Sequence, residues 1–87
     1  MTEAKTRYFK NGEFRGILKP YDARFMCHLF IVKRFNTSFA RWQVVLLGDI
    51  RPDGCMNWRT QHAHVCHHAE LEDLHLLMQT MVQHVAN

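Results

Sequence analysis

Apolar and polar residues alternate in short stretches over the first two-thirds of the chain, and turn residues separate these stretches. The first stretch covers residues 7–15 and has Asn11-Gly12 near its centre. An Asn-Gly pair supplies the two positive-φ positions of a type I′ turn. We therefore predict a tight β-hairpin in which Lys10 lies opposite Glu13, so that unlike charges support the pairing.

Three further stretches have the pattern of β-strands. Residues 24–35 are mostly apolar on both faces, which predicts a central strand that is covered, at least in part, on both sides. Residues 41–47 also predict a strand, and residues 44–47 within it are apolar on both faces. Residues 55–65 alternate, which places Trp58 and Thr60 on the same face and suggests a strand with one more hydrated face.

The hydrophobic period lengthens to that of a helix near residue 69. Apolar residues then recur at steps of three and four positions: Leu71, Leu74, Met78, Met81 and Val85. Acidic residues in the first turn and a histidine in the last turn both favour the helix dipole. We predict one amphipathic helix over residues 69–85, with its apolar stripe against the sheet.

Together these elements predict an α+β fold, with a four- or five-stranded antiparallel β-meander and one C-terminal amphipathic helix packed on the sheet. The 87 residues predict a single domain, with a β-rich basic and aromatic part at residues 1–66 and the helix at about 69–85. A domain of this size buries a modest core and leaves little room for a deep catalytic cleft.

Hydropathy and cysteine usage predict a cytoplasmic protein with no membrane partner. No apolar run approaches the ~18 residues that a membrane span needs. The N-terminal residues also lack the hydrophobic stretch of a signal peptide. The three cysteines are an odd, sparse set and a poor disulfide framework: Cys27, Cys55 and Cys66.

Charge and aromatic residues are distributed unevenly along the chain. All eleven Lys and Arg lie in residues 1–59 with only five acidic residues, whereas residues 60–87 contain three acidic residues and no Lys or Arg. All ten aromatic residues lie in residues 1–58. Such an asymmetry bears on the kind of partner that a protein binds, and not on its fold.

The interleaved cations and aromatic rings predict a macromolecular contact surface, since Trp and Arg dominate interface energetics. The predicted contact residues are Arg15, Arg24, Arg34, Arg41, Arg51, Arg59, Trp42 and Trp58. Sheet surfaces of this composition also bind single-stranded nucleic acid, through phosphate neutralisation and base stacking. The overall pI is about 9.0, but the motifs of the common RNA-binding domains are absent.

Histidines cluster at positions 62–68, and imidazole and thiolate are the usual ligands of zinc. The candidate metal ligands are His62, His64, Cys66 and His68. The first three would share one face of a strand. The two separated pairs of ligands that are typical of a closed structural zinc site are absent. A polar strand end that is rich in histidine by chance is the alternative interpretation, and a pH-responsive patch is another.

Catalysis is not predicted. The sequence has no phosphate-binding loop, no nucleophile elbow, no zinc-protease motif and no dinucleotide-binding motif. A cysteine–histidine nucleophile needs a base and an orienting group in fixed geometry, which sequence proximity does not show. We predict neither catalytic residues nor a cofactor, and zinc remains the one alternative.

These observations predict a small non-enzymatic binding protein, most simply a regulator or inhibitor that occupies a surface of another protein or nucleoprotein complex. A small domain without a catalytic signature is similar in kind to regulatory proteins that phages and mobile elements encode. A direct single-stranded nucleic-acid-binding module is the alternative, and a histidine/cysteine metal-binding protein is the second alternative. We expect a monomer or a homodimer through the C-terminal helix.

Overall fold

The structure is a computed structural model that describes residues 5–62 and 66–86. Its strands are β1 (Arg7–Asn11), β2 (Phe14–Leu18), β3 (His28–Asn36), β4 (Arg41–Ile50) and β5 (Met56–Gln61), and a short 3₁₀ turn (His68–Glu70) leads into α1 (Leu71–Ala86). The strands form one antiparallel sheet in the order β1-β2-β3-β4-β5. The predicted α+β meander is confirmed. Residues 63–65, where the predicted fifth strand was to end, lie outside the described residues.

The first hairpin forms with a different turn from the one predicted. Asn11 pairs with Phe14, so the two loop residues are Gly12 and Glu13, and Lys10 lies opposite Arg15 rather than Glu13. Gly12 has a φ of +56°, which fits a two-residue loop with glycine in the first central position. The Asn11 side-chain amide donates a hydrogen bond to the backbone oxygen of Asp73 in α1 at 3.0 Å. A contact with the helix thus supports a register that local turn chemistry did not indicate.

Helix α1 covers one face of the sheet and packs mainly against β1 and β2. The buried side chains between the two layers are Phe14, Leu18, Phe30, Val32, Val45, Leu46, Ile50, Leu74, Leu77, Met78 and Met81. Gly16 lies directly beneath the helix, where a Cβ would stand 3.1 Å from the Met81 sulfur. Within the described residues, no helix is long and apolar enough to cross a membrane.

The face of the sheet opposite α1 is covered only at one end by described residues. Strand β3 is central, as predicted, but it begins at His28, because residues 22–27 form a turn closed by a bridge between Asp22 and Cys27. This turn packs near Asp49 and Arg59 at the β4–β5 end of that face. The expectation that β3 is covered on both sides therefore holds only at this end.

Two irregularities in the strand pairing change which side chains share a face. One lies between Val32 and Lys33 in the pairing of β3 with β4. The other lies in the pairing of β4 with β5, where Gly48 pairs with Trp58 and Leu47 pairs with Thr60. Because Leu47 and Gly48 are adjacent and point to opposite faces, Trp58 and Thr60 do so too. The prediction that these two residues share a face is wrong.

Candidate interaction surface

The uncovered part of the sheet carries aromatic, aliphatic and cationic side chains, and we call it the open face. The open face consists of Tyr8, Lys10, Arg15, Ile17, Ile31, Lys33, Phe35, Trp42, Val44 and Leu47, which alternate along the strands with residues that face α1. Three of its apolar residues are well exposed: Tyr8 by 75%, Trp42 by 47% and Val44 by 37%. Apolar side chains that lie together on a protein surface often mark an interaction site.

Strand pairing arranges the open face in transverse rows. Lys10 lies opposite Arg15, which lies opposite Lys33, which in turn lies opposite Val44. We call Lys10, Arg15 and Lys33 the cation row. Two residues further along the strands is an apolar row of Tyr8, Ile17, Ile31 and Leu47. The cation row therefore borders an apolar strip on the same surface.

An aromatic cluster borders the other side of the cation row. The rings of Phe35 and Trp42 meet edge to face, with centroids 5.4 Å apart. The Arg15 guanidinium lies over the Trp42 ring at 5.5 Å, and its Nη1 donates hydrogen bonds to the backbone oxygens of Gly12 and Phe14. These contacts hold Arg15 and Trp42 in defined positions at the surface, which reduces the entropy they lose on binding a partner.

Three of the predicted contact residues lie on the open face or at its margin: Arg15, Trp42 and Arg59. Arg15 and Trp42 are within it. Arg41, by contrast, begins β4 opposite Asn36 and alternates with Trp42, so it points away from the open face; its guanidinium lies 5.4 Å from the ring of the exposed Phe39. Arg59 lies beyond the apolar row, where its Nε donates a hydrogen bond to Asp49 at 3.1 Å. That bond offsets the charge of an otherwise buried carboxylate.

Two of the predicted arginines lie on loops away from the open face. Arg24 forms an ion pair with Asp22 at 2.9 Å in the turn before β3. Arg51 is exposed in the turn between β4 and β5. Neither shares a strand face with Arg15 or Trp42, so the predicted contact set does not form one continuous surface.

Arg34 lies on the helix-covered side of the sheet. Its Nε and Nη2 donate hydrogen bonds to the two carboxylate oxygens of Glu70 at 2.6 and 2.9 Å. Hydrogen bonds from Arg34 are the main cause that lowers the pKa of Glu70, and Glu70 in turn raises the pKa of Arg34. Both side chains are about four-fifths buried, so the pair joins β3 to the start of the helical segment and serves the fold.

Trp58 also lies on the helix-covered side, in an apolar groove between α1 and β5. The groove has a volume of about 1000 Å³, and its apolar lining is formed by Leu46, Met56, Trp58, Leu71, Leu74, Met78 and Val82. The Trp58 ring contacts Phe30 edge to face at 5.6 Å. No Lys, Arg, Asp or Glu lines this groove within the described residues.

A second cavity, of about 650 Å³, lies where the C-terminal end of α1 approaches the start of β1. Its lysine, arginine and histidine side chains come from Lys5, Arg7, Lys19, His28 and His84. The Nδ1 atom of His28 is buried and has no hydrogen-bond partner among the described residues. Burial lowers the pKa of His28, which favours its neutral form. Cations are also common beside a helix C-terminus, where they offset the helix dipole.

The candidate metal ligands lie in the connection between β5 and α1. His62 follows β5, and its backbone N–H donates a hydrogen bond to the Val45 carbonyl. Cys66 is half-buried against the core, and His68 opens the 3₁₀ turn. His64 lies outside the described residues. Among residues 5–62 and 66–86, no three His, Cys, Asp or Glu side chains group closely enough to hold a metal ion.

The thiol groups are in surroundings that disfavour a nucleophile. Burial is the largest cause that raises the pKa of Cys27 and of Cys66. A hydrogen bond to Asp53 is the largest cause that raises the pKa of the exposed Cys55. A nucleophilic cysteine needs the opposite shift, toward thiolate at neutral pH.

Eight of the ten open-face residues were not predicted as contacts, among them Tyr8, Lys10 and Lys33. The signal was present in the alternation of β3, because Lys33 and Arg34 must point to opposite faces. A contact surface on one face of the sheet can therefore contain Arg34 or Lys33, but not both. Which of the two faces α1 would cover was not evident from this alternation, since both faces of β3 are largely apolar.

No family model matches the chain, and no curated protein or solved structure shows significant similarity to it.

Proposed function

We propose that this protein binds another protein through its open face and acts as a regulator or inhibitor by occupying the surface of its partner. The observation that supports this most is that, among the described residues, the five-stranded sheet has a helix on one face only, while aromatic and aliphatic side chains lie exposed on the other. Burying such side chains against a partner is favourable by roughly 25 cal/mol per Å² of apolar surface.

The aliphatic centre of the open face favours a protein over a nucleic acid. Ile17, Ile31 and Leu47 lie side by side in the apolar row, Val44 lies opposite Lys33 in the neighbouring row, and these side chains complement apolar side chains of a partner. Trp42 and Arg15 at the margin are of the residue types that contribute most to protein–protein affinity. Residues of the cation row add electrostatic attraction to an acidic partner, which raises the association rate.

Direct binding of single-stranded nucleic acid is the second candidate function. The stack of Arg15 on Trp42 and the exposed ring of Tyr8 supply the two elements that such binding uses, cations for phosphates and flat rings for bases. This mode predicts an affinity that falls steeply as salt rises, whatever the base sequence.

The test is capture of partners from host lysate by the tagged protein and two variants, with each lysate divided into nuclease-treated and untreated halves. Val44→Glu places a charge in the open face. Leu76→Glu is the matched control, because Leu76 is also an exposed apolar residue, at 47% against 37% for Val44, and lies on the outer side of α1. Circular dichroism melts first establish that both variants are folded.

A protein that is captured after nuclease treatment, lost with Val44→Glu and retained with Leu76→Glu would support the proposal once the purified pair binds directly. Capture that is equal for both variants would contradict it. Nucleic acid recovered in place of protein, and lost with Val44→Glu, would instead establish the second candidate function.

A further inference from the structure

The cation row brings three positive charges together across three adjacent strands. Lys10, Arg15 and Lys33 are direct pairing partners, so their Cβ atoms are separated by only about 5 Å from one strand to the next. No described carboxylate forms an ion pair with any of the three. Arg15 directs one nitrogen to backbone oxygens and leaves Nε and Nη2 without a partner among the described residues.

Three of the other six arginines have carboxylate partners. Arg24 pairs with Asp22, Arg34 with Glu70, and Arg59 with Asp49. Like charges in directly opposite strand positions destabilise a sheet. We therefore expect the cation row to reduce the stability of the free protein, and an anionic partner that neutralised it to remove this repulsion.

The spacing of the cation row fits acidic residues on one side of a helix. On a helix, side chains three and four positions apart lie about 5–6 Å from one another, close to the separation between adjacent strands. In an extended chain, residues on one side repeat at about 6.6–6.8 Å, which departs further from that separation. A helix is about 10–12 Å wide with its side chains, enough to cover the cation row and the apolar row beside it.

We propose that the open face binds an amphipathic α-helix of a partner protein. The acidic stripe of that helix lies over Lys10, Arg15 and Lys33, and its neighbouring apolar stripe lies over Tyr8 and Ile31. This inference rests on the proposed function and specifies the chemistry of the partner.

A second copy of this chain does not supply such a helix. The apolar stripe of α1 is already buried against its own sheet at Leu74, Leu77, Met78 and Met81. Among the described residues of α1, Leu76 on the outer side is the one large apolar residue that is exposed. The partner helix therefore belongs to a different protein.

The experiment measures binding of defined fluorescent peptides to the full-length protein by anisotropy at low salt. The first peptide is an 18-residue helix with glutamates at positions i, i+4, i+7 and i+11 beside a stripe of leucines. The second has the same composition but carries its glutamates on the side opposite the leucines. Oligothymidylate of similar charge is the third probe.

We expect the first peptide to bind at least about tenfold more tightly than the second. Lys33→Glu should weaken its binding at least about tenfold, whereas Arg51→Glu, a matched charge reversal in a distant turn, should change it less than about threefold. If Lys33→Glu proves unfolded by circular dichroism, Lys10→Glu on the edge strand replaces it. A peptide with lysines in place of the glutamates should bind the Lys33→Glu variant better than the wild type.

Equal affinity for the two acidic peptides, equal losses for Lys33→Glu and Arg51→Glu, or a preference for oligothymidylate would each overturn this inference. The lysate capture separates it from the proposed function. A partner that is lost with Val44→Glu but retained with Lys33→Glu would leave the protein-binding function intact and refute the acidic-helix partner.

Discussion

At the scale of single residues, the environment of a charged group decides whether it serves the fold or a partner. Arg34 and Lys33 are adjacent cations in the same strand, yet Arg34 is held by Glu70 on the helix side and Lys33 lies on the open face without a carboxylate partner among the described residues. In a count of charged residues, each of the two contributes one positive charge and they cannot be told apart. Only their opposite directions along the pleated strand distinguish them.

The Arg34–Glu70 pair should make stability depend on pH in the acid range. The folded-state pKa of Glu70 lies below its unfolded value of about 4.3, so the stabilisation is fully present above that value and disappears as the pH falls through the folded pKa. We expect Arg34→Met to lower the free energy of unfolding by about 1–2 kcal/mol at pH 7, between the values for exposed and buried pairs.

Urea denaturation of Arg34→Met and wild type between pH 3 and pH 7 measures this effect. The difference between the two proteins should shrink as the pH falls below about 4.3. Arg51→Met, which changes an exposed arginine, is the control and should show a small difference at every pH. A wild-type advantage that stayed constant from pH 7 to pH 3 would contradict the assigned contribution of Glu70.

At the scale of elements, close approaches of the backbone determine how the strands pack. Gly48 in β4 pairs with Phe30 on one side and with Trp58 on the other, and the two rings meet edge to face across it. A Cβ at this position would collide with the backbone oxygen of Asn57 and stand 2.9 Å from the Phe30 ring. The β4–β5 irregularity and the Phe30–Trp58 contact thus both depend on glycine.

Gly48→Ala should therefore destabilise the protein by about 3 kcal/mol, the upper part of the usual range for overpacking, because a backbone atom cannot yield as a side chain can. Gly16→Ala is the comparison. Its Cβ would meet the flexible ends of Met81 and Leu77 at 3.1 and 3.3 Å, and we expect a loss of about 1 kcal/mol. Thermal and urea unfolding measure both, and similar losses for the two variants would show that β5 adjusts to the added methyl group.

At the scale of the whole molecule, the uneven charge along the sequence becomes an uneven charge over the surface. The basic part forms the sheet, and three of its cations, Lys10, Arg15 and Lys33, lie together on the open face, whereas the acidic residues of the last third lie on the helical side. A surface of this kind directs an acidic partner to the open face. We expect the repulsion within the cation row to lower the stability of the free protein.

Lys33→Gln should for this reason raise the free energy of unfolding by about 0.5 kcal/mol at low salt. The gain should disappear near 1 M salt, where screening acts within about 3 Å. Arg51→Gln should have little effect at either salt concentration, because Arg51 lies in the turn between β4 and β5 and not in the cation row. Urea denaturation at two salt concentrations checks this, and a Lys33→Gln variant that is no more stable at low salt would show that the row is not strained by repulsion.

Most of the elements, but little of the candidate surface, could be predicted from sequence. Turn residues and a change of hydrophobic period indicate five strands and a helix, because these signals depend on neighbours close in the chain. Predicted boundaries were wrong where a longer-range contact intervened, as at residues 24–27, which form a bridged turn instead of strand. Of the eight predicted contacts, Arg15 and Trp42 lie within the open face.

The amino-acid sequence by itself determined the antiparallel meander, the C-terminal helix and the separation of basic from acidic parts, since each follows from local periodicity or composition. Tertiary structure alone decided the pairing of Lys10 with Arg15, the division of Trp58 and Thr60 between the two faces, and which face α1 covers. Both faces of β3 are apolar enough to be buried. The choice between them came from packing with distant residues, which no local pattern contains.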